Sequence, residues 1–301
     1  MTTISPAAVT ATVPAAPGTI RPRAWLRTTV ALLTRDFRVL GRDLPGFLLR
    51  VTVQPALFVF VFAVVLPKLS ASGGGGIASL FGTSSNGTAT SSAPSFSTTL
   101  VPGLVASAIM FQGLTAVTAP LVMELSYTRE IEDRVMAPIP VWLLAVEKII
   151  AGAIQAILAA VIVFPLVMVI HAKGQAPSID FHHWPLLIAV VLLAALFSSA
   201  LALLLGTIVD PRRVSIIISI VIVPMTLLGC VYYPWAELSQ LRWLQFITLF
   251  NPLVYICEAL RATLTPSTLH MPAWILLVVV GGGFLLVTAA SVQTFTRRLV
   301  D

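Results

Sequence analysis

Stretches of about twenty apolar residues recur along this chain, and that recurrence limits its fold more than any other feature. A hydrocarbon core of about 30 Å needs about 20 helical residues to cross it, so each stretch is long enough to span a membrane. Six qualify: Phe47 to Leu66, Leu100 to Val122, Val146 to Ile170, Leu186 to Val209, Val214 to Tyr233, and Ala273 to Val292. Only 10% of the residues are charged and 57% are hydrophobic, whereas a soluble domain carries roughly 25% charged residues. The pattern predicts an all-α integral membrane protein with six transmembrane helices. Residues 1–20 read as a disordered cytoplasmic tail, 21–46 as an amphipathic interface helix, and 47–301 as the six-span domain.

Basic residues in short loops stay on the cytoplasmic side. Arg21, Arg23, Arg27, Arg35, Arg38, Arg42 and Arg50 precede or open the first span; Arg129, Arg134 and Lys148 surround the second connection; Arg212 and Arg213 lie in the fourth; Arg297 and Arg298 end the chain. Against these stand Lys68, Lys173, Arg242 and Arg261 on the other face, so both termini are expected in the cytoplasm. The formal charge of +6 flanks apolar spans and forms no patch on a soluble domain, which speaks for lipid headgroups and against nucleic acid as its partner. The first twenty residues lack the basic start and apolar core of a secretory signal. Cys230 and Cys257 both fall toward the predicted outer half, where two buried thiols are the simpler reading and a disulfide the alternative.

From Trp25 to Leu40, Leu26, Val30, Leu33, Phe37 and Leu40 recur at steps of three and four while Arg27, Arg38 and Arg42 take other faces. The helix this predicts is too short to span and Arg-rich on its polar side, so it is expected to lie along the inner membrane surface. After Pro67 the chain runs through four glycines, Gly73 to Gly76, and a Ser/Thr-rich stretch to Thr99. That composition predicts a flexible outer loop. No Lys-Ser or Lys-Thr pair follows the glycines, so they do not make a phosphate-binding loop.

Between the second and third spans, Tyr127, Ile131 and Val135 repeat every four residues, with Arg129, Glu130, Glu132, Asp133 and Arg134 on the remaining faces and Pro138 and Pro140 closing the run. A solvated turn is the plainer reading of these residue types; a short helix docking into a partner's groove is the alternative. Between the fifth and sixth spans, Pro234 to Leu264 is apolar but interrupted at Asn251-Pro252 and at Glu258 and Arg261. It reads as re-entrant outer helices that dip into the membrane and return. Glu258 and Arg261, spaced i,i+3, are expected to offset each other as a stabilising pair, with direct substrate contact as the other possibility.

Little chemistry is written into this chain. His171, His182, His183 and His270 lack further ligands at metal-site spacing. No hydrolase signature or paired carboxylates lie within a span, and Glu124 and Glu147 are expected at the inner ends of spans two and three, in reach of water. No catalytic residue, metal or cofactor is expected, and the chain is not read as an enzyme.

The order of these parts resembles a known family. A basic amphipathic helix, Gln54-Pro55 early in span one, the charged segment from Tyr127 to Pro140, and Phe250-Asn251-Pro252-Leu253-Val254-Tyr255-Ile256-Cys257-Glu258-Ala259-Leu260-Arg261 together resemble the membrane subunit of type-2 ABC exporters. That group includes daunorubicin-type drug permeases and polysaccharide exporters. The resemblance implies paired six-span subunits, as a homodimer or with a sister permease, each docking a separate ATPase that binds ATP and Mg. It implies that Tyr127 to Arg134 form the coupling helix, that Trp25 to Arg42, with Arg27, Phe37 and Arg38, form the interface helix, and that Pro234 to Leu264 form the re-entrant outer helices. The cargo it implies is an amphipathic drug, antibiotic, lipid or glycolipid leaving across the plasma or inner membrane. An ion-gradient-driven transporter and a non-transporting scaffold are the competing readings; the first needs ionisable residues at mid-membrane, and the spans show none.

Overall fold

The structure, a computed structural model, describes residues 22–65, 96–126, 140–169, 179–180, 182–210, 213–266 and 270–300. These residues are helical with no strand among them. In chain order the helices are α1 (Pro22–Arg42), α2 (Leu44–Val59), α3 (Phe96–Ser126), α4 (Val141–Val169), α5 (Trp184–Ile208), α6 (Val214–Leu227), α7 (Arg242–Thr248), α8 (Pro252–Leu264) and α9 (Ala273–Val300). A π-helical turn, Phe60–Val65, continues α2, and a 3₁₀ turn, Trp235–Gln240, precedes α7.

Four of these helices are long and apolar enough to cross a membrane: α3, α4, α5 and α9. Each overlaps a stretch expected from sequence. The bent pair α7 and α8, which turn through 93°, would bring the number to five if it counted as one span. Two expected spans are shorter as helices. The first is divided between α2 and its π-helical continuation, and the fifth ends at Leu227, with Pro224 in its last turn and Cys230 in the left-handed region at φ 51° just beyond. A non-glycine residue there costs about 1–2 kcal/mol and needs surrounding contacts to hold it.

α3 is the centre of the bundle. It packs on α4, α5 and α8, and its span is 83% buried by protein, against 17% for α9. Small residues make that possible: a Cβ on Gly113 would fall on the Ser198 side chain of α5. Lipid supplies no hydrophobic drive between helices, so close backbone approach and dispersion contacts hold them. Several hydroxyls inside the bundle are satisfied along their own helices or across to a neighbour. Ser107 donates to the Leu104 carbonyl at 2.8 Å, and Thr118 to the Ala202 carbonyl of α5 at 3.1 Å. α9 instead turns Val278, Leu285 and Leu286 outward, as a helix solvated by acyl chains does.

α1 lies against α4 and runs straight into α2. Asp43 alone joins them, its N–H donating to Leu40 O at 3.1 Å while its carbonyl accepts from Phe47 N–H at 2.9 Å. The inward face differs in one respect from the expected stripe. Val30 is exposed, while Leu32, Asp36 and Leu40, four residues apart, face the bundle. A carboxylate occupies the middle of that face.

Candidate functional site

One end of the bundle is built around Arg261. Asn251 caps α8: its Oδ1 accepts from Leu253 N–H at 3.0 Å, and Pro252 holds the first helical position, where no N–H is needed. Its Nδ2 donates to Met225 O at 2.7 Å. The last carbonyls of a helix have no partner within it, so this contact satisfies one at the end of α6. In the second and third turns of α8, Glu258 and Arg261 sit one turn apart and are almost wholly enclosed. Arg261 Nη1 donates to Glu258 Oε1 at 2.8 Å.

Neither charge is satisfied by the other alone. Glu258 Oε1 also accepts from Trp235 N–H at 3.0 Å, and Oε2 accepts from Met271 N–H at 3.1 Å. Arg261 Nη2 donates to Cys230 O at 2.6 Å and Val231 O at 3.2 Å. Through two side chains of one helix, the turn after α6, the 3₁₀ turn and the approach to α9 are tied together. The same carbonyl lies close against α3: a Cβ on Gly103 would clash with the Val231 oxygen. The structure places Asn251 as the cap of α8 and Pro252, Glu258 and Arg261 within it, with the last two paired as the i,i+3 spacing predicts. Sequence reading missed the contribution of residues 230, 231, 235 and 271, which act through backbone atoms that any residue type supplies. Both side chains are enclosed by the described residues. Cys230 and Cys257 are buried free thiols.

At the opposite end, Lys148 of α4 is buried among carboxylates. Its Nζ lies 3.0 Å from Glu124 Oε1 of α3 and 3.4 Å from Asp36 Oδ2 of α1. Glu147 lies beside Lys148 and Asp36, fully buried, and neither of its oxygens meets a hydrogen-bond donor among the described residues. The expected contact of Glu147 with water is thus corrected: α1 and α3 cover it. Of the expected interface-helix residues, Phe37 is half-buried, while Arg27 and Arg38 are exposed. The anticipated coupling residues Tyr127, Arg129, Glu130, Ile131, Glu132, Asp133 and Arg134 lie outside the described residues.

Between the two ends is a cavity of about 110 Å³ bounded by α2, α3, α6 and Tyr232. Phe111, the middle residue of α3, faces it together with Ser107, Gln112 and Thr115; Arg50 of α2 borders it. Gln112 also reaches Gln155 of α4 across 3.5 Å. Pockets that hold drug-sized ligands measure about 300–1,000 Å³, so this space is a fraction of one. No motif pointed to it, because hydroxyls and amides at helical spacing in an apolar span look like ordinary packing.

Compared with known families, residues 27–265 match the model of the ABC-2 type transporter. Comparisons with curated proteins and with solved structures each returned no match. The matched region takes in α1, the central helices, the cavity and the Arg261 network, and several helices are apolar enough to cross a membrane. The chain therefore belongs to the ABC-2 type transporter family, as a multi-pass permease subunit.

Proposed function

We propose that this permease works in an ATP-driven exporter, moving an amphipathic drug, antibiotic, lipid or glycolipid out of the cytoplasm. The carrying observation is the cavity at the middle of α3, where Ser107, Gln112 and Thr115 offer hydroxyl and amide groups beside the ring of Phe111. Such a lining suits a cargo with both apolar and hydrogen-bonding parts. In this reading α2, α3, α4, α5, α6 and α9 are the six spans, α1 rests on the inner surface, and α7 with α8 forms the outer re-entrant element. The Lys148 end faces the cytoplasm, as do both termini, in keeping with the distribution of Lys and Arg. A second copy or a sister permease completes the cargo site beside α2 and α6, whose outward residues Leu49, Leu57, Ile216 and Ile220 are exposed apolar groups.

The energy comes from a separate ATPase, present in two copies and binding ATP and Mg, since the sequence has no Gly-rich phosphate loop of its own. Residues Tyr127 to Arg134 transmit its closure to the spans. The test is co-reconstitution with a candidate ABC ATPase subunit that co-purifies with this chain and measurement of nucleotide-dependent efflux. Flux that persists without nucleotide would reject the reading in favour of a gradient-driven carrier. An intact complex that moves no amphipathic cargo would favour a scaffold.

A further inference from the structure

We infer that Asp36, Lys148 and Glu124 form a releasable clasp that sets the position of α1, making Lys148 and Asp36 positioning residues of the transport cycle. The inference rests on the exporter reading above and names a physical path within it. Glu124 stands two residues before the end of α3, and Lys148 lies in the second turn of α4. Those two helices flank the connection that this reading makes the site of coupling. One ammonium thus holds both flanks of the connection and, through Asp36, the middle of the face that α1 turns to the bundle.

Two features make the clasp releasable. First, Asp36, Glu124 and Glu147 gather around one buried ammonium, so Lys148 keeps two carboxylate neighbours when Asp36 withdraws. Second, its contact to Asp36 is the longer of its two ion pairs, 3.4 Å against 3.0 Å. A ligand or partner can bias only an element that has two arrangements close in free energy, and in this proposal α1 is that element.

What α1 moves is the cavity. With Asp43 as their sole connector, α1 and α2 shift as a unit, and Arg50 and Val51 on α2 border the cavity seven and eight residues beyond that connector. A displacement of α1 is therefore delivered about 10 Å along one helix to the cargo space.

The test uses the full chain with its ATPase in nanodiscs, spin-labelled at Val39→Cys on α1 and Met123→Cys on α3, both at exposed positions. Interspin distances and efflux per ATP hydrolysed are read with and without ATP. Asp36→Asn removes a charge-assisted contact and should raise the undocked population of α1 by about tenfold or more. It should lower efflux per ATP while leaving the amount of co-purified ATPase unchanged. Glu124→Gln, which strips a competing carboxylate and leaves Asp36 in place, should move the distances the opposite way, so the proposal does not hang on one variant's folding. Lys148→Arg should retain the docked distance. Wild-type distances and efflux per ATP in Asp36→Asn would overturn the clasp while sparing the exporter reading. Absence of nucleotide-dependent efflux from wild type would overturn both.

Discussion

Asn251, Glu258 and Arg261 each satisfy more than one group, which decides what their loss costs. Removing one member of a buried ion pair typically costs about 3–5 kcal/mol, whereas replacing both by apolar residues is often neutral. The second half of that rule should fail here. Cys230 O, Val231 O, Trp235 N–H and Met271 N–H all rely on this pair, and each buried group left unsatisfied costs about 1–3 kcal/mol. Glu258→Ala, Arg261→Leu, and Glu258→Leu combined with Arg261→Met are all expected to lower folded yield and melting temperature in detergent. Recovery of wild-type stability in the double variant would show that the backbone contacts carry little. A single variant that is fully stable but transport-dead would instead assign Glu258 to cargo. Asn251→Asp separates the two duties of the cap: it keeps the acceptor for Leu253 N–H and loses the donor to Met225 O. It should still destabilise, by about 1–3 kcal/mol, measured the same way. The i,i+3 spacing made the ion pair legible in sequence. Its four backbone partners were illegible, because a carbonyl or amide carries no residue-type signal.

The helices of this chain differ in what surrounds them, and their tolerance to substitution should differ likewise. α3 approaches its neighbours by backbone contact. Gly103→Ala would push a methyl group into the Val231 carbonyl and so disturb the same turn that Arg261 holds. Overpacking of this kind costs about 1–3 kcal/mol. In contrast, Gly282→Ala on α9 meets nothing within 4 Å and should leave the melting temperature unchanged; equal destabilisation of the two would refute the packing order described. The long spans were visible in sequence because a run of apolar residues is all that a membrane-crossing helix requires. α2 and α6 were longer in expectation than as α-helices, since hydropathy records solubility in lipid and not where backbone hydrogen bonding changes. The amphipathic stripe of α1 was found, but its rotation was misplaced by including Val30. A stripe drawn from apolar residues cannot admit Asp36, whose reason to face inward is a lysine more than a hundred positions away.

At the scale of the whole molecule, two clusters of charge lie at opposite ends of a bundle, with a cavity of mixed apolar and polar lining between them. In the Arg261 network both charges are bonded to several partners, although Arg261 Nε meets no acceptor among the described residues; the Lys148 cluster is crowded with carboxylates. The first has the build of a fixed cap and the second of a moving part. Gln112→Leu and Thr115→Val alter the cavity lining without touching either cluster. They are expected to change which cargoes are exported by about tenfold while ATPase co-purification stays at wild-type levels; loss of the complex in these variants would mean that the cavity residues serve assembly. Ile131→Asp or Glu132→Arg should do the reverse, abolishing co-purification without unfolding the spans, and wild-type-like recovery of the ATPase would remove the coupling assignment from that segment. What the amino-acid sequence determined alone is the solvent of this protein, its helical class and its family, because these follow from the local run of apolar and charged residues. Only the tertiary structure decided which polar groups are enclosed, which face α1 turns inward and where the cavity lies. Those features depend on side chains that meet from distant parts of the chain, and their meeting is set by packing between helices.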